Sequence, residues 1–206
     1  MLWQRVLTAL VLIPLVVAGI LYLDTPILAL VLGLMVLVGA YEMGRLAHLR
    51  GMTLPLAFVS VVAVLLWLAQ RFVTPPLLIA SQWMMAVWWT GMTVALVMRR
   101  RELPKTVVTR PIILLLGGLV LVTAWVSIVR LHGAGTQGPA LVLFLFVLIW
   151  IADTGAYFAG RAFGRSKLSP FVSPGKTWAG VGGAISGGLL SGLLLSASGL
   201  VGELPM

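Results

Sequence analysis

Seven apolar runs, each close to the length of a membrane-crossing helix, constrain this chain more than any other feature. They are Val6–Leu23, Pro26–Met43, Pro55–Gln70, Pro76–Met98, Pro111–Leu131, Pro139–Gly160 and Trp178–Leu200. A helix needs about 20 mostly apolar residues to cross the hydrocarbon of a bilayer. Several runs open at or beside a proline, which suits a first helical turn, where no backbone N–H is needed. Only 9% of the 206 residues are charged, against about 25% in a soluble domain. The expected fold is therefore all-α, a polytopic transmembrane helix bundle of about seven spans. It is expected to form a single membrane-embedded domain over 1–206, with N-terminal spans in 1–131 and the more polar spans and loop in 139–206. Val6–Leu23 reads as a retained span rather than a signal peptide, because it is long, contains Pro14 and precedes no Ala-x-Ala site.

The charges fall in the short segments between these runs. With the N-terminus in the cytoplasm, one side holds Arg5, Arg45, Arg50, Arg99, Arg100, Arg101, Lys105, Arg110, Arg161, Arg165, Lys167 and Lys176, while the other holds Arg71 and Arg130. Lys and Arg concentrate on the cytoplasmic side of membrane proteins, so this orientation is the expected one, in an inner (cytoplasmic) membrane. The net charge of +9 is not a nucleic-acid signal, since no soluble basic domain exists to hold a duplex. The Arg99–Arg110 cluster reads as a topology anchor or a contact for anionic headgroups. There are no cysteines and only two histidines, His48 and His132, so thiolate chemistry and a His-rich metal site are not expected.

Polar residues gather between Asp153 and Trp178. Asp153 lies eight residues before Arg161, about 12 Å along a helix. A carboxylate at that depth costs about 3 kcal/mol or more. Two readings stand: an ion pair with Arg161 or another cation, or a ligand for a divalent metal, since hard cations prefer oxygen. Tyr157, one turn on, shares its face, either as a second site residue or as an interfacial aromatic anchor. Glu42 has Arg45 three residues on and reads as an ordinary helical ion pair. Glu102 reads as a solvated loop residue, and Asp24 and Glu203 fall on the far side. Ser173-Pro174 reads as a helix start, with Gly175, Lys176 and Thr177 in the first turn of the last span. Free N–H groups there, the Lys176 charge and the hydroxyls of Ser173 and Thr177 would suit phosphate. Gly175-Lys176-Thr177 matches the end of a P-loop, but Pro170 stands where its first glycine belongs. In Trp178–Leu200, Gly183 and Gly187 form one small-residue row and Gly188, Gly192 and Ser196 another, both suited to close helix packing.

Ala152-Asp153-Thr154-Gly155-Ala156-Tyr157, Gly160-Arg161, Phe163-Gly164-Arg165, Lys167-Leu168 and Ser173-Pro174-Gly175-Lys176-Thr177-Trp178-Ala179-Gly180 together resemble the phosphatidate cytidylyltransferases, the bacterial CDP-diacylglycerol synthases. The resemblance implies a Mg²⁺-dependent membrane nucleotidyltransferase that transfers CMP from CTP to phosphatidate, releases pyrophosphate and serves phospholipid biosynthesis. It implies catalytic roles for Asp153 and Lys176, with Asp153 also a metal ligand and a second cation conceivable. Substrate and phosphate contacts are implied for Tyr157, Arg161, Arg165, Lys167, Ser173, Gly175, Lys176 and Thr177. CTP, phosphatidate and membrane lipid are the implied partners. The family's further C-terminal signature, which carries carboxylates, does not occur in these 206 residues, and the expectation is a chain with little activity by itself. Two other readings stay open: a small-anion transporter-like bundle, and a non-catalytic membrane scaffold. Oligomeric state is open, a homo-oligomer included.

Overall fold

The computed structural model describes residues 2–98, 110–170 and 173–197. It contains seven helices, one for each apolar run: α1 (Leu2–Tyr22), α2 (Thr25–Leu46), α3 (Thr53–Phe72), α4 (Pro75–Met98), α5 (Arg110–His132), α6 (Gly138–Phe163) and α7 (Trp178–Ala197). Between α6 and α7 lies a short antiparallel hairpin, β1 (Lys167–Ser169) and β2 (Ser173–Thr177). The basic segment from Arg99 to Thr109, with Lys105 and Glu102, lies outside the described residues, as do Leu200 and Glu203. Among the described residues, five helices are long and apolar enough to cross a membrane: α2, α3, α5 from Pro111, α6 and α7. Leu30, Val38, Trp83 and Val87 are all more than half exposed. Apolar surface on that scale marks contact with lipid, and the chain is an integral membrane protein.

The chain divides into two compact units. One comprises Met1–Leu21, Gly91–Leu103 and Ala134–Met206, the other Tyr22–Thr90 and Pro104–Gly133. The second is built on α2, α3 and α5, whose core is Ala29, Ala40, Val62, Leu66, Ala69, Trp125, Val126 and Val129. Small residues admit the bulky indole of Trp125, and its Nε1–H donates to the Ala29 carbonyl at 2.9 Å. A buried indole N–H needs such a partner. The Thr25 hydroxyl and His132 Nδ1 lie 2.8 Å apart near the start of α2 and the end of α5, and Arg130 donates through Nη2 to the Val73 carbonyl at 3.0 Å.

The first unit rests on α6 against α7. Their backbones approach closely because glycines face each other. A Cβ added to Gly183 would strike the Gly155 carbonyl oxygen and come 2.6 Å from the Ala159 Cβ; one added to Gly187 would sit 3.1 Å from Ile151 Cγ2. Of the two small-residue rows in α7, the Gly183 and Gly187 row forms the seam. Gly188 and Gly192 have open space around them.

Candidate active site

The helix start expected at Ser173-Pro174 is not there. Ser173–Thr177 is strand β2, and α7 begins at Trp178. The true cap is Thr177, whose Oγ1 accepts from the Gly180 N–H at 3.1 Å. Both Ser173 and Thr177 satisfy local capping rules. The hairpin decides between them, because Lys167 pairs with Thr177 and Ser169 with Ser173. Pro174 is tolerated in β2 because a two-stranded hairpin has only edges, so the missing N–H breaks no central ladder. Gly175, Lys176 and Thr177 therefore form no first helical turn, and the free N–H groups expected there for phosphate are not those of a helix end. The hairpin is closed at its base by Trp178 N–H donating to the Ser166 carbonyl at 3.1 Å.

α6, α7 and the hairpin enclose a cleft of about 730 Å³. From α6 come Asp153, Ala156, Tyr157, Gly160 and Arg161, one stripe at helical spacing. From α7 come Gly180, Val181 and Ala184, and from the hairpin Leu168, Ser173, Gly175, Lys176 and Thr177. Seven expected site residues thus meet in one cleft: Asp153, Tyr157, Arg161, Ser173, Gly175, Lys176 and Thr177. Arg165 and Lys167 are exposed and do not line it. Ala156, Gly160 and Gly180, which also line it, stood in the sequence only within the family-like segments, with no site role. The spacing of three, four, seven and eight residues from Asp153 would have found the α6 members.

Small residues of the cleft bring the hairpin down onto α6. A Cβ on Gly160 would lie 3.1 Å from Thr177 Oγ1, and one on Gly180 would lie 3.0 Å from the Ala156 carbonyl. Thr177 is 6% exposed, and its hydroxyl proton is left to donate after the oxygen has capped α7. Thr177→Ala is expected to lower thermal stability by about 1 kcal/mol, the usual value of an N-cap, and Thr177→Ser to recover most of it. Equal melting temperatures for all three proteins would remove the capping role.

Arg161 does not pair with Asp153. Its Nη1 donates instead to the Tyr157 hydroxyl at 3.0 Å, while the Tyr157 ring stacks edge-on against Phe158 with centroids 5.4 Å apart. Among the described residues no ion pair holds Asp153, and none joins Glu42 to Arg45. The Asp153 carboxylate is thus available to a ligand in the cleft. No group of three or more metal-ligating side chains exists among the described residues. Among the described residues Asp153 is the one carboxylate lining the cleft, beside the hydroxyls of Tyr157, Ser173 and Thr177. Among the described residues this donor set is too poor for a protein-only cage. It fits a single Mg²⁺ shared with phosphate oxygens, since Mg²⁺ is commonly held by one or two carboxylates, substrate phosphates and water.

Residues 3–200 match the model of the cytidylyltransferase family. A phosphatidate cytidylyltransferase of Pseudomonas aeruginosa is 40% identical over 189 residues, which cover 90% of this chain and 67% of that protein. One from Haemophilus influenzae is 38% identical over 214 residues, covering 95% and 72%. One from Brucella suis is 46% identical over a shorter stretch of 77 residues, 35% of this chain and 28% of that protein. No solved structure matches the chain.

Proposed function

The chain belongs to the cytidylyltransferase family, and we propose that its cleft joins CTP to phosphatidate, making CDP-diacylglycerol and pyrophosphate. The observation that carries the reading is the convergence of one unpaired carboxylate, Asp153, with Lys176 and Arg161 in a cleft between two apolar helices. A phosphate oxygen of phosphatidate attacks the α-phosphorus of CTP. The new O–P bond forms as the bond from that phosphorus to the bridging oxygen breaks, and pyrophosphate carries the electron pair away. The nucleophile is already anionic near neutral pH, because the second pKa of a phosphate monoester is about 6. No general base is needed, and among the described residues no His or Glu lines the cleft.

The obstacle is repulsion between two polyanions. Lys176 on β2 and Arg161 on α6 supply fixed positive charge along the cleft, and the hydroxyls of Ser173 and Thr177 can donate to phosphate oxygens. The open backbone around Gly175, which has nothing within 4 Å of a would-be Cβ, leaves room for a phosphate to lie against the hairpin. Mg²⁺, when bound through Asp153 and the triphosphate, would neutralise charge building on the leaving group. The cytoplasm-facing orientation, with its cation bias, would let CTP arrive from water while the lipid headgroup waits at the interface.

The test is CDP-diacylglycerol formation from radiolabelled CTP and phosphatidate by the purified protein, alongside equilibrium binding of CTP with Mg²⁺. CTP binding in the presence of Mg²⁺ is expected of the purified chain, with product formed from the bound nucleotide. Lys176→Ala is expected to weaken CTP binding about tenfold or more, as loss of a charge-assisted contact of 1.5–3 kcal/mol implies. CTP binding that is absent in the parent, or equal in the variant, would overturn the assignment of this cleft. The family match displaces the transporter reading, which also lacks the internal symmetry common in such proteins. A pure scaffold would bind no CTP.

A further inference from the structure

The turn between α2 and α3, residues 47–52, has no part in the nucleotide cleft. α2 ends there in a double closure: Leu49 N–H donates to the Gly44 carbonyl at 3.1 Å and His48 N–H to the Arg45 carbonyl at 2.9 Å. This is the Schellman pattern, whose left-handed residue is usually glycine. Here it is His48, at φ 56°, while Gly51 follows at φ 70°. A β-carbon in that conformation carries a steric cost that glycine at this position would not.

The turn is firmly seated. Ala47 is fully buried, and a Cβ on Gly44 would lie 3.2 Å from Pro55 Cα. Exposed Arg45, His48 and Arg50 sit on this support. With Tyr41 they border a cavity of about 630 Å³ whose lining, among the described residues, contains no carboxylate. Glu42 is exposed but is not among its walls. α2 and α3 are each long and apolar enough to cross the bilayer, so the turn joining them falls at the boundary between hydrocarbon and water. Leu46, Met52 and Leu54, each more than half exposed, flank the cations with apolar surface.

We propose that this turn is a headgroup site for an anionic phospholipid, lined by residues other than those of the nucleotide cleft. Guanidinium forks match phosphate oxygens in pairs, and an imidazole N–H adds a third donor. Basic pockets between membrane helices take anionic headgroups in this way. The flanking leucines and methionine lie where acyl chains must leave the headgroup, which favours a lipid over a soluble phosphate.

The test uses the full chain in phosphatidylcholine nanodiscs with phosphatidylglycerol added, without CTP, counting retained phosphatidylglycerol by native mass spectrometry. Arg45→Gln with Arg50→Gln is expected to weaken retention roughly 25-fold, from the usual contribution of two interfacial cations. Arg71→Gln, in the last turn of α3, is expected to leave it unchanged. His48→Gly is expected to keep or raise the melting temperature while lowering retention, a split that a folding defect does not produce. Retention by the double variant equal to the parent's overturns the site. So does unchanged retention in a stable His48→Gly protein, and so does complete displacement of the lipid by inorganic phosphate, which would make the site one for soluble anions.

Discussion

Asp153→Asn is expected to lower CDP-diacylglycerol formation by at least a hundredfold while leaving the fold intact. The expected size follows from removing one preorganised electrostatic partner of a reacting centre, worth about 10²–10³ in rate. Asparagine keeps the shape of the side chain and loses its charge, and with it the hard anionic oxygen that a Mg²⁺–triphosphate complex needs. The fold is expected to survive because Asp153 holds no ion pair among the described residues. Asp153 is exposed along the cleft, so neutralising it disturbs no packing of α6. The melting temperature should therefore stay level while activity disappears. Turnover within a few-fold of the parent would take Asp153 out of the reaction. A parallel fall in melting temperature would show that the carboxylate is structural.

Gly183→Leu is expected to have the largest effect on stability. Even a bare Cβ at Gly183 would strike the Gly155 carbonyl oxygen and lie 2.8 Å from its carbon. Backbone cannot swing aside as a side chain can, so α6 and α7 must separate. The cost is expected at or above the upper end of the usual 1–3 kcal/mol for overpacking. Activity should fall with it, since α6 carries Asp153 and Arg161 while the α6–α7 approach seats the hairpin bearing Lys176. Gly188→Leu supplies the control, because nothing lies within 4 Å of its added Cβ. Thermal unfolding in detergent should separate the two variants clearly. Equal melting temperatures would mean that the seam does not depend on bare backbone at Gly183.

Membrane character and helix positions were legible residue by residue. α2 and α3, built on two of the shorter apolar runs, still form helices of 22 and 20 residues, each running past its apolar run at both ends. Asp153, Tyr157 and Arg161 were legible as one face, since helical spacing alone aligns them. The hairpin was not. Ser173 and Thr177 look alike to any local capping rule, and only the pairing of Lys167 with Thr177 selects the later one. The same pairing leaves Arg165 and Lys167 out of the cleft while Lys176 lines it, although all three read as equivalent cations along the chain.

A helix in lipid satisfies its backbone hydrogen bonds within itself and buries its side chains by simple apolar content. Both conditions are sums over neighbouring residues, so the order of amino acids was enough to establish an all-α membrane protein and to locate its seven helices. Which glycine row meets another helix, where α7 begins and which cations share a cleft with Asp153 are settled by contacts between residues far apart in the chain. Gly155 against Gly183, Gly160 against Thr177 and Lys167 against Thr177 are pairings of that kind, and only the folded arrangement chooses among the alternatives that local rules leave equal.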